Sequence, residues 1–545
     1  MQLTIPMSIK DQIGDKLLEK GFEEEASFFK EKHYGSQTGK ISITVDADIT
    51  LAFVEALSEI ATELDLRSLQ TLSKQTIRLL KDPNKEEVKN LRTFETALAS
   101  YVRNEGIKGW LFESLNEDDH LPFVVSDIKF IEACRRTETP QHVKLSLNYN
   151  SAKDKKIKSK TVTFMLDSVR NKTVPNILAE KKLFKETEEL IERHLNRCEY
   201  YMEIQPLIGK QFSGIGITIE DSYYKKKIKM DGPKPFKLVN DDEDGVISAD
   251  SGYTEFRFWK NFESEHNIDP DQPSIREVPF HPYIRMFELE EHNHYWVLAH
   301  QLELYQYDTE LGKKLVLPDI QRDLIDILVH DMDVVREDIV GGKSGGTTVL
   351  CMGKPGLGKT LTAEVYSEVV QRPLYRVHSG QLGTTPDKVD DNLKRILQRA
   401  ERWRAITLID EADLYIRERG DSMEHNAIVA AFLRQLEYFN GLLFMTTNRA
   451  NDVDDAIKSR SAAIIKYESP STADARRLWE VLSEQYEIEL GHDMITSLIE
   501  EYPSCAGRDI KELLKLAARY KNIKGETITL ETFRHCAVFR GIGGK

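Results

Sequence analysis

The sequence predicts an α/β protein in which a parallel sheet is covered by helices and followed by a C-terminal helical lid. From about residue 316, short apolar stretches alternate with long amphipathic helices, a pattern typical of a parallel sheet with both faces buried. After Pro470 only helical periodicity remains, which predicts the lid. We expect a mainly helical N-terminal region over 1–105, a mixed α+β substrate or partner domain over 106–315, the α/β core over 316–470 and the lid over 471–545.

The core sheet is predicted from apolar runs that are too short for helices. The expected strands are Thr347–Met352, Leu374–Val377, Ala405–Ile409, Leu442–Met445 and Ala463–Lys466. Upstream, apolar spacing from Leu51 to Leu64 predicts a helix that Asp48 or Thr50 caps. A single helix is expected to carry the apolar residues from Ile177 to Leu195.

The composition excludes several classes of protein. The chain has 545 residues, with 75 Lys and Arg against 90 Asp and Glu, and a formal net charge of −15, which disfavours a nucleic-acid partner. No apolar stretch approaches the roughly 20 residues that span a bilayer, so we expect no membrane partner. The N-terminus lacks a basic-then-apolar signal. The five cysteines form no CxxC pair and fit a reducing compartment, which predicts a cytoplasmic location.

A glycine-rich motif follows the first core strand and opens a helix. Its residues fit GxxxxGK[ST] without a mismatch and precede Leu361: Gly353, Lys354, Pro355, Gly356, Leu357, Gly358, Lys359 and Thr360. Glycines let backbone N–H groups wrap a phosphate, and the helix N-terminus adds a positive dipole. Lys359 can reach the β and γ phosphates, and Thr360 can bind Mg²⁺. We therefore expect the run from Gly353 to Leu361 to bind a nucleotide.

Two adjacent carboxylates end the third predicted strand, fifty residues after Thr360. Burying such a pair at a strand tip is costly unless a cation or a substrate compensates it. We expect Asp410 to hold the Mg²⁺ shell and Glu411 to orient and polarise an attacking water. Without the phosphate loop, an ordinary solvated strand end would explain the pair equally well.

The fourth predicted strand is followed by Thr446-Thr447-Asn448-Arg449. An amide at this point would lie between the two acids and the γ-phosphate and would fix the water, so we expect a catalytic role for Asn448. The alternative is an Asn that initiates a turn, which is common after strands.

From about residue 316 to 541, the phosphate loop, the acidic pair, Asn448 and the helical lid together resemble the AAA+ ATPase family. The resemblance implies the AAA+ P-loop fold, ATP and Mg²⁺ as cofactors, and ATP hydrolysis as the activity. The run LCMGKPGLGKTLTAEVYSE and the run LIDEADLYIRERG also resemble a little-described group of AAA ATPases abundant in filamentous fungi.

The lid carries a further similarity to the family. Ala506-Gly507-Arg508-Asp509-Ile510-Lys511 is similar to the sensor-2 motif, which implies that Arg508 contacts the nucleotide phosphates of its own subunit. The alternative is an arginine at a helix start that pairs with a nearby carboxylate.

A motif before the last core strand bears on assembly. Ser459-Arg460-Ser461 resembles the SRC motif of clamp loaders, which implies an arginine that stabilises transition-state charge on a neighbour's γ-phosphate. We favour Arg460 for this role, with Arg449 and Arg434 as alternatives. A residue supplied by a neighbour implies a homo-oligomer with head-to-tail interfaces, in a hexamer-like ring or a spiral.

The segment after the second core strand departs from the pattern of AAA+ unfoldases. Those proteins carry an aromatic-hydrophobic-Gly loop there, whereas the run from Ser379 to Pro386 contains no aromatic residue. Polypeptide threading is therefore disfavoured. Leu382 either grips a substrate or lies in a plain loop, and Thr385 followed by Pro386 predicts a helix start.

Three functions remain open. The first is ATP-driven remodelling of a macromolecule, with a protein substrate or partner recognised by residues 1–315. The second is an ATP-gated sensor or scaffold whose assembly state a partner reads. The third is a nucleic-acid-dependent loader, which the basic run Lys225-Lys226-Lys227-Ile228-Lys229 favours. The net charge disfavours it, as does the acidic run from Asp241 to Asp244, which we expect to form an exposed loop.

Overall fold

Contacts divide the chain into two compact units. Unit 1 comprises Met1–Pro206 and Asp244–Ile284, and unit 2 comprises Leu207–Glu243 and Arg285–Lys545. Unit 2 therefore includes part of the stretch 106–315, and the division into four regions stays a prediction. The computed structural model describes residues 2–31, 40–45, 49–82, 84–103, 106–116, 118–133, 139–152, 156–214, 217–220, 227–230, 236–241, 278–330, 346–525 and 527–542.

Unit 1 contains a small antiparallel sheet with helices. Strands β1 (Gln2–Pro6) and β2 (Lys40–Thr44) pair with Leu3 opposite Ile43. Of the two residues expected to cap the helix from Leu51, Thr50 does so, because its hydroxyl accepts the Phe53 N–H. The helices of this region are α1 (Lys10–Glu19), α2 (Glu23–Lys30), α3 (Leu51–Glu63), α4 (Arg67–Lys81) and α5 (Leu91–Arg103).

A larger, mainly antiparallel sheet also belongs to unit 1. Its strands are β3 (Trp110–Ser114), β4 (His120–Ile131), β5 (His142–Ser151), β6 (Lys156–Met165), β7 (Leu183–Lys185) and β12 (Phe280–His281). Their order is β12-β5-β4-β3-β7, with β6 paired to β5. The short strand β12 runs parallel to β5.

The prediction of a single helix from Ile177 to Leu195 is wrong. Lys182 adopts a left-handed φ of 57°, which ends the helical path, and Leu183 then pairs with Glu113. A new helix starts after Thr187, whose hydroxyl accepts the Leu190 N–H. The elements of this stretch are α6 (Leu166–Val169), α7 (Val174–Glu180), the strand β7 and α8 (Glu188–Ile204).

Unit 2 contains most of another antiparallel sheet. Its strands are β8 (Gln211–Gly214), β9 (Ile217–Glu220), β10 (Lys227–Met230), β11 (Phe236–Asn240), β13 (Tyr283–Glu288), β14 (His294–Leu298) and β15 (Glu303–Leu304). The order is β10-β9-β14-β13-β11-β8-β15. Of the basic run noted in the sequence, Lys225 and Lys226 lie outside the described residues.

Asp241 follows β11 and is only 3% exposed, so the expectation of an exposed loop is wrong at this residue. Its carboxylate accepts hydrogen bonds from Trp403 Nε1 at 3.0 Å and from Arg402 Nη2 at 3.1 Å. His294 Nε2 lies 2.6 Å from its other oxygen. These partners compensate the burial of its charge. The other three residues of the acidic run lie outside the described part of the chain.

The parallel sheet lies in the second part of unit 2. Its strands are β16 (Thr347–Gly353), β17 (Leu374–His378), β18 (Ile406–Asp410), β19 (Leu442–Thr447) and β20 (Ala463–Tyr467), in the order β17-β18-β19-β16-β20. Every pairing in it is parallel. Leu443 and Met445 enter one apolar core and Leu442 and Phe444 another, so both faces are buried. The predicted α/β fold is therefore confirmed, with each predicted strand present.

Helices cover the two faces of the parallel sheet and form the lid. The covering helices are α9 (Asp319–His330), α10 (Lys359–Val369), α11 (Ser379–Leu382), α12 (Pro386–Trp403), α13 (Asp413–Ile416), α14 (Met423–Leu436) and α15 (Asp455–Arg460). The lid helices are α16 (Thr472–Gln485), α17 (His492–Glu501), α18 (Gly507–Lys524) and α19 (Leu530–Arg540). Among the described residues, the structure contains no helix with the length and apolar character needed to cross a membrane.

Candidate active site

The phosphate loop joins β16 to α10 at the carboxyl edge of the parallel sheet. Three of its glycines have positive φ angles: 155° at Gly353, 84° at Gly356 and 96° at Gly358. A Cβ on Gly353 would lie 2.4 Å from the Tyr467 carbonyl oxygen, and one on Gly356 would lie 2.9 Å from Arg508 Cβ. Backbone conformation and close packing therefore both require glycine here.

Lys359 is the first residue of α10 and is buried. Its Nζ donates to the carbonyl oxygens of Gly353 and Lys354, both at 2.8 Å, and to Oδ1 of Asn448 at 2.9 Å. Burial lowers the pKa of the Lys359 ammonium. The structure therefore brings together the cation and the amide that the sequence assigned to the γ-phosphate.

Asp410 ends β18, and side-chain donors surround its carboxylate. Thr360 Oγ1 donates to Oδ1 at 3.0 Å, Thr446 Oγ1 donates to the same oxygen at 2.6 Å, and Arg376 Nη2 donates to Oδ2 at 2.6 Å. Burial raises the pKa of Asp410, but these hydrogen bonds outweigh it and hold the pKa below its usual value. An ionised carboxylate thus lies beside the Thr360 hydroxyl, as the predicted metal site requires.

Glu411 follows β18 in a left-handed backbone conformation, with φ of 53°. Such a conformation is uncommon for a residue with a side chain, and it persists where the surrounding structure enforces it. Here the Glu411 N–H donates to Thr446 Oγ1 at 3.0 Å. The exposed side chain of Glu411 lines the same cavity as Asn448.

This cavity has a volume of about 1660 Å³ and lies where the core meets the lid. Its lining includes the phosphate loop from Pro355 to Leu361 and the polar residues Asp410, Glu411 and Asn448. Its apolar lining comes from the segment before α9 and from α16: Leu315, Val316, Leu317, Pro318, Leu478 and Leu482. This apolar part of the lining suits the base of a nucleotide. It was not predicted from the sequence, because no nucleotide-binding motif marks these residues.

Arg508 lies in the first turn of α18 and lines the cavity from the lid. Its N–H donates to the Gly356 carbonyl oxygen at 3.2 Å, which joins the lid to the phosphate loop. This position agrees with contact to a nucleotide of the same subunit, and the role of Arg508 stays a prediction.

Each of the three candidate trans-acting arginines lies beside a carboxylate of its own chain. Arg460 ends α15, and its Nη2 donates to Glu437 Oε1 at 2.5 Å. Arg434 is ion-paired with an aspartate of α12 at 2.7 Å, and Arg449 lies 3.9 Å from Asp452. The described residues that line the cavity include none of the three arginines. Their positions do not distinguish between them.

The sequence analysis missed Arg376, which lies on β17 and bonds to Asp410. A signal was present, because an arginine inside an apolar strand needs a compensating partner. The identity of that partner was not readable, since Asp410 lies 34 residues further along the chain.

The segment after β17 is a short helix held in place, not an open loop. The Tyr415 hydroxyl donates to the carbonyl oxygens of Ser379 at 2.5 Å and of Gly383 at 2.8 Å. Leu382 is fully buried and is therefore unable to grip a substrate in this conformation. The expected helix start at Pro386 is confirmed.

The donor set fits a nucleotide with Mg²⁺. Mg²⁺ is usually bound by one or two carboxylates together with substrate phosphates and waters, not by a cage of protein ligands. Thr360 and Asp410 offer that partial set, and the described residues hold no cluster of three His, Cys, Asp or Glu suited to a metal. The glycine loop and Lys359 supply the phosphate-binding groups beside it.

A phosphate loop, a carboxylate pair at a strand end and a cavity closed by a helical lid define a P-loop nucleotide-hydrolase domain. Residues 349–469 match the family model described as ATPase family associated with various cellular activities (AAA). The chain therefore carries an AAA ATPase domain with the AAA+ α/β fold, and this family is one of ATP hydrolases.

Curated relatives share the domain rather than the whole chain. An uncharacterised AAA family ATPase from Sinorhizobium fredii is 31% identical over 135 residues, which are 23% of this chain and 40% of that protein. A putative 26S proteasome regulatory subunit homologue from Methanothermobacter marburgensis is 26% identical over 197 residues, or 34% of this chain and 51% of that protein. ATPase family AAA domain-containing protein FIGL1 from Arabidopsis thaliana is 27% identical over 197 residues, which are 33% of this chain and 28% of that protein. The chain thus spans about half or less of the length of these relatives.

Solved structures show a distant likeness. A chain of the Escherichia coli HORMA:CdnC:Trip13 complex is 17% identical, with 42% of this chain and 89% of that chain covered and a TM-score of 0.35. The FIGL-1 AAA domain in complex with ADP is 19% identical, with 42% and 82% covered and a TM-score of 0.33. Scores at this level support no argument about function.

Proposed function

We propose that this protein hydrolyses Mg²⁺–ATP as an oligomeric AAA+ ATPase and that turnover remodels a macromolecule bound through its N-terminal region. One observation carries the proposal. Two hydrogen-bonded pairs, Lys359 with Asn448 at 2.9 Å and Thr360 with Asp410 at 3.0 Å, lie in a single cavity that Glu411 also lines. Cation, amide, hydroxyl and carboxylates are the groups that phosphoryl transfer to water needs.

Binding in this site would use the loop and both ends of the cavity. The amides from Gly356 to Thr360 and the Lys359 ammonium bind the β and γ phosphates. Thr360 and Asp410 would hold the Mg²⁺ shell, and the metal would supply positive charge that offsets the charge on the phosphate oxygens. The apolar residues from Leu315 to Pro318 cover the base.

Hydrolysis would proceed by attack of a water on the γ-phosphorus. Glu411 accepts the proton that the water loses as its oxygen bonds to phosphorus. The bond from phosphorus to the bridging oxygen breaks, and ADP leaves with the electron pair. Asn448 orients the water, while Lys359 and Arg508 stabilise the charge on the phosphate oxygens.

Arg460 does not line the cavity of its own subunit, and among the three candidate arginines its similarity to the SRC motif favours it for a role in assembly. We propose that it acts on the γ-phosphate bound by a neighbour, in a head-to-tail ring or spiral of a hexamer-like kind. The bond between Arg508 and Gly356 offers a path by which a change at the phosphate loop moves the lid. A protein substrate or partner fits the net charge of −15 better than a nucleic acid does.

One observation favours a second function, an ATP-gated sensor or scaffold. The segment from Ser379 to Gly383 is fixed by Tyr415, and Leu382 is buried, so the usual position of a threading loop offers no mobile apolar side chain. A partner that reads the assembled state needs no such side chain.

The test of the proposed site is Glu411→Gln. Removing the base should lower phosphate release by about 10²–10⁴-fold while binding of a fluorescent ATP analogue is retained. The matched control is Glu424→Gln, an exposed residue in the first turn of α14, which should leave turnover unchanged. Unchanged phosphate release by Glu411→Gln would contradict the assignment.

Assembly is tested with mass photometry of Glu411→Gln with and without Mg²⁺–ATP. A shift to a ring-sized species supports a shared site, whereas a monomer under both conditions would count against the role in trans and against a sensor whose assembly state is read. Mixing Arg460→Ala with Lys359→Ala should restore part of the turnover that each variant loses alone. No recovery at any mixing ratio would count against a role in trans.

A further inference from the structure

Arg376 is a charged residue in the middle of a buried strand. Its neighbours on β17, Tyr375 and Val377, are 1% and 0% exposed and pack in an apolar core. Successive side chains of a strand point to opposite faces, so Arg376 lies on the other face of the sheet. It lines the nucleotide cavity there.

The Arg376 guanidinium bridges two carboxylates. Nη2 donates to Asp410 Oδ2 at 2.6 Å, and Nη1 donates to Glu364 Oε1 at 3.3 Å. Glu364 lies on α10, one turn after Thr360. Burial raises the pKa of Glu364, so its ionised form gains from a nearby cation.

Asp410 has donors on both of its oxygens. Oδ1 accepts from Thr360 and Thr446, and Oδ2 accepts from Arg376. A Mg²⁺ shell at Asp410 would bring a second cation close to the guanidinium in a half-buried site, where like charges repel more strongly than in water. Glu364 already bonds to the other terminal nitrogen of Arg376, so it would retain the guanidinium if the bond to Asp410 were lost.

We propose that Arg376 is a positioning residue that competes with Mg²⁺ for Asp410 and thereby sets the Mg²⁺ concentration at which the site becomes fully loaded. The inference rests on the proposed function, because it assumes Mg²⁺ and ATP in the same cavity. Arg376 holds the Asp410 carboxylate in place before the cation binds, and it would keep only its bond to Glu364 once Asp410 Oδ2 is given over to the Mg²⁺ shell.

The experiment measures Mg²⁺ binding rather than turnover. Glu411→Gln protein is saturated with a fluorescent ATP analogue, and free Mg²⁺ is buffered from micromolar to millimolar concentrations. The fluorescence of the bound analogue is recorded at each concentration, and the Mg²⁺ midpoint is the concentration at which half of the fluorescence change has occurred. Adding Arg376→Gln should lower the Mg²⁺ midpoint about tenfold, because a cation near the metal position is removed. Adding Arg376→Lys should keep the midpoint close to the parent value. Arg395→Gln on α12, which makes the same charge change at an exposed site, is the matched control and should leave the midpoint unchanged.

A second variant tests the same competition in the opposite direction. Glu364→Gln removes the negative charge that attracts Arg376 away from Asp410, so Arg376 stays on Asp410 and the Mg²⁺ midpoint should rise. An unshifted or raised midpoint in Arg376→Gln would overturn the inference while nucleotide binding by the parent stands. Failure of the Glu411→Gln parent to bind the analogue at any Mg²⁺ concentration would instead overturn the proposed function, and the inference with it.

Discussion

Asp410 and Asp241 are two carboxylates of unit 2 that use their burial in opposite ways. Asp241, beside the antiparallel sheet, is 3% exposed and receives all its described bonds from Trp403, Arg402 and His294. Asp410, at the end of a parallel strand, lines a cavity of about 1660 Å³. The pKa of each carboxylate is held below its ordinary value, so the direction of the pKa shift does not separate the two acids. They differ in that Asp410 lines the cavity, where we propose that it binds a ligand, whereas Asp241 is not among the cavity's lining residues.

The largest effect is expected from Asp410→Asn. Removing the charge that holds the Mg²⁺ shell should lower phosphate release by about 10²-fold or more. Unfolding in urea should show a smaller loss of stability than Asp241→Asn does. Retained phosphate release would place Asp410 with the structural acids and would break the comparison.

Asp241→Asn should have the reverse profile. Breaking a buried, hydrogen-bonded charge cluster costs about 3 kcal/mol, measured by urea unfolding followed by circular dichroism. Phosphate release under folding conditions should remain near the parent value. The control is Asp455→Asn, whose side chain is 97% exposed and which should change stability little.

The stability lost in Asp241→Asn should depend on pH, which tests whether Asp241 is ionised in the folded protein. Burial raises the pKa of Asp241, but bonds from His294 and Trp403 and the charge of Arg402 outweigh it and hold the pKa below its ordinary value. Ionised Asp241 therefore contributes its stability above about pH 4, and the contribution is lost as pH falls through the lower folded-state pKa. The stability difference between parent and Asp241→Asn should shrink below pH 4, and a difference that grew there would reverse the assignment.

The smallest effect is expected at Tyr305, near the antiparallel sheet. Its hydroxyl donates to Glu368 Oε1 at 2.7 Å in the last turn of α10, far from the phosphate loop at the start of that helix. Tyr305→Phe should cost about 1 kcal/mol of unfolding free energy and leave phosphate release intact. Tyr438→Phe, at a residue 58% exposed, is the control. A loss of turnover without a loss of stability would show that this end of α10 acts on the site.

The parallel sheet and most of the polar candidate site could be predicted from the sequence because they depend on short-range patterns along the chain. Gly353, Gly356 and Gly358 are fixed by positive φ angles, and their spacing to Lys359 is a short-range pattern. Asp410 and Asn448 were found because each stands at or just after the end of an apolar strand. Strand ends in a parallel sheet meet at one edge, so chain order was enough to group them.

What the sequence did not reveal depends on pairing across long chain separations. Trp403 donates a hydrogen bond to Asp241 across a separation of 162 residues, and no local sequence pattern predicts that bond. Arg376 was missed for the same reason. The false helix from Ile177 to Leu195 arose because apolar spacing alone does not report the left-handed turn at Lys182. Contacts between residues far apart in the chain, and one left-handed residue, thus determined the features that apolar periodicity did not predict.

The left-handed backbone of Glu411 has a consequence for how this chain can evolve. The left-handed conformation costs a residue with a Cβ about 1–2 kcal/mol, whereas it costs Gly almost nothing and Asn little. Glu411→Gly should therefore stabilise the fold while it removes the proposed catalytic base, whereas a β-branched residue there should remove the base and destabilise the fold. Relaxed selection on turnover would let this position drift towards Gly or Asn. Retention of Glu against that gradient would be a sign that a lineage still depends on hydrolysis.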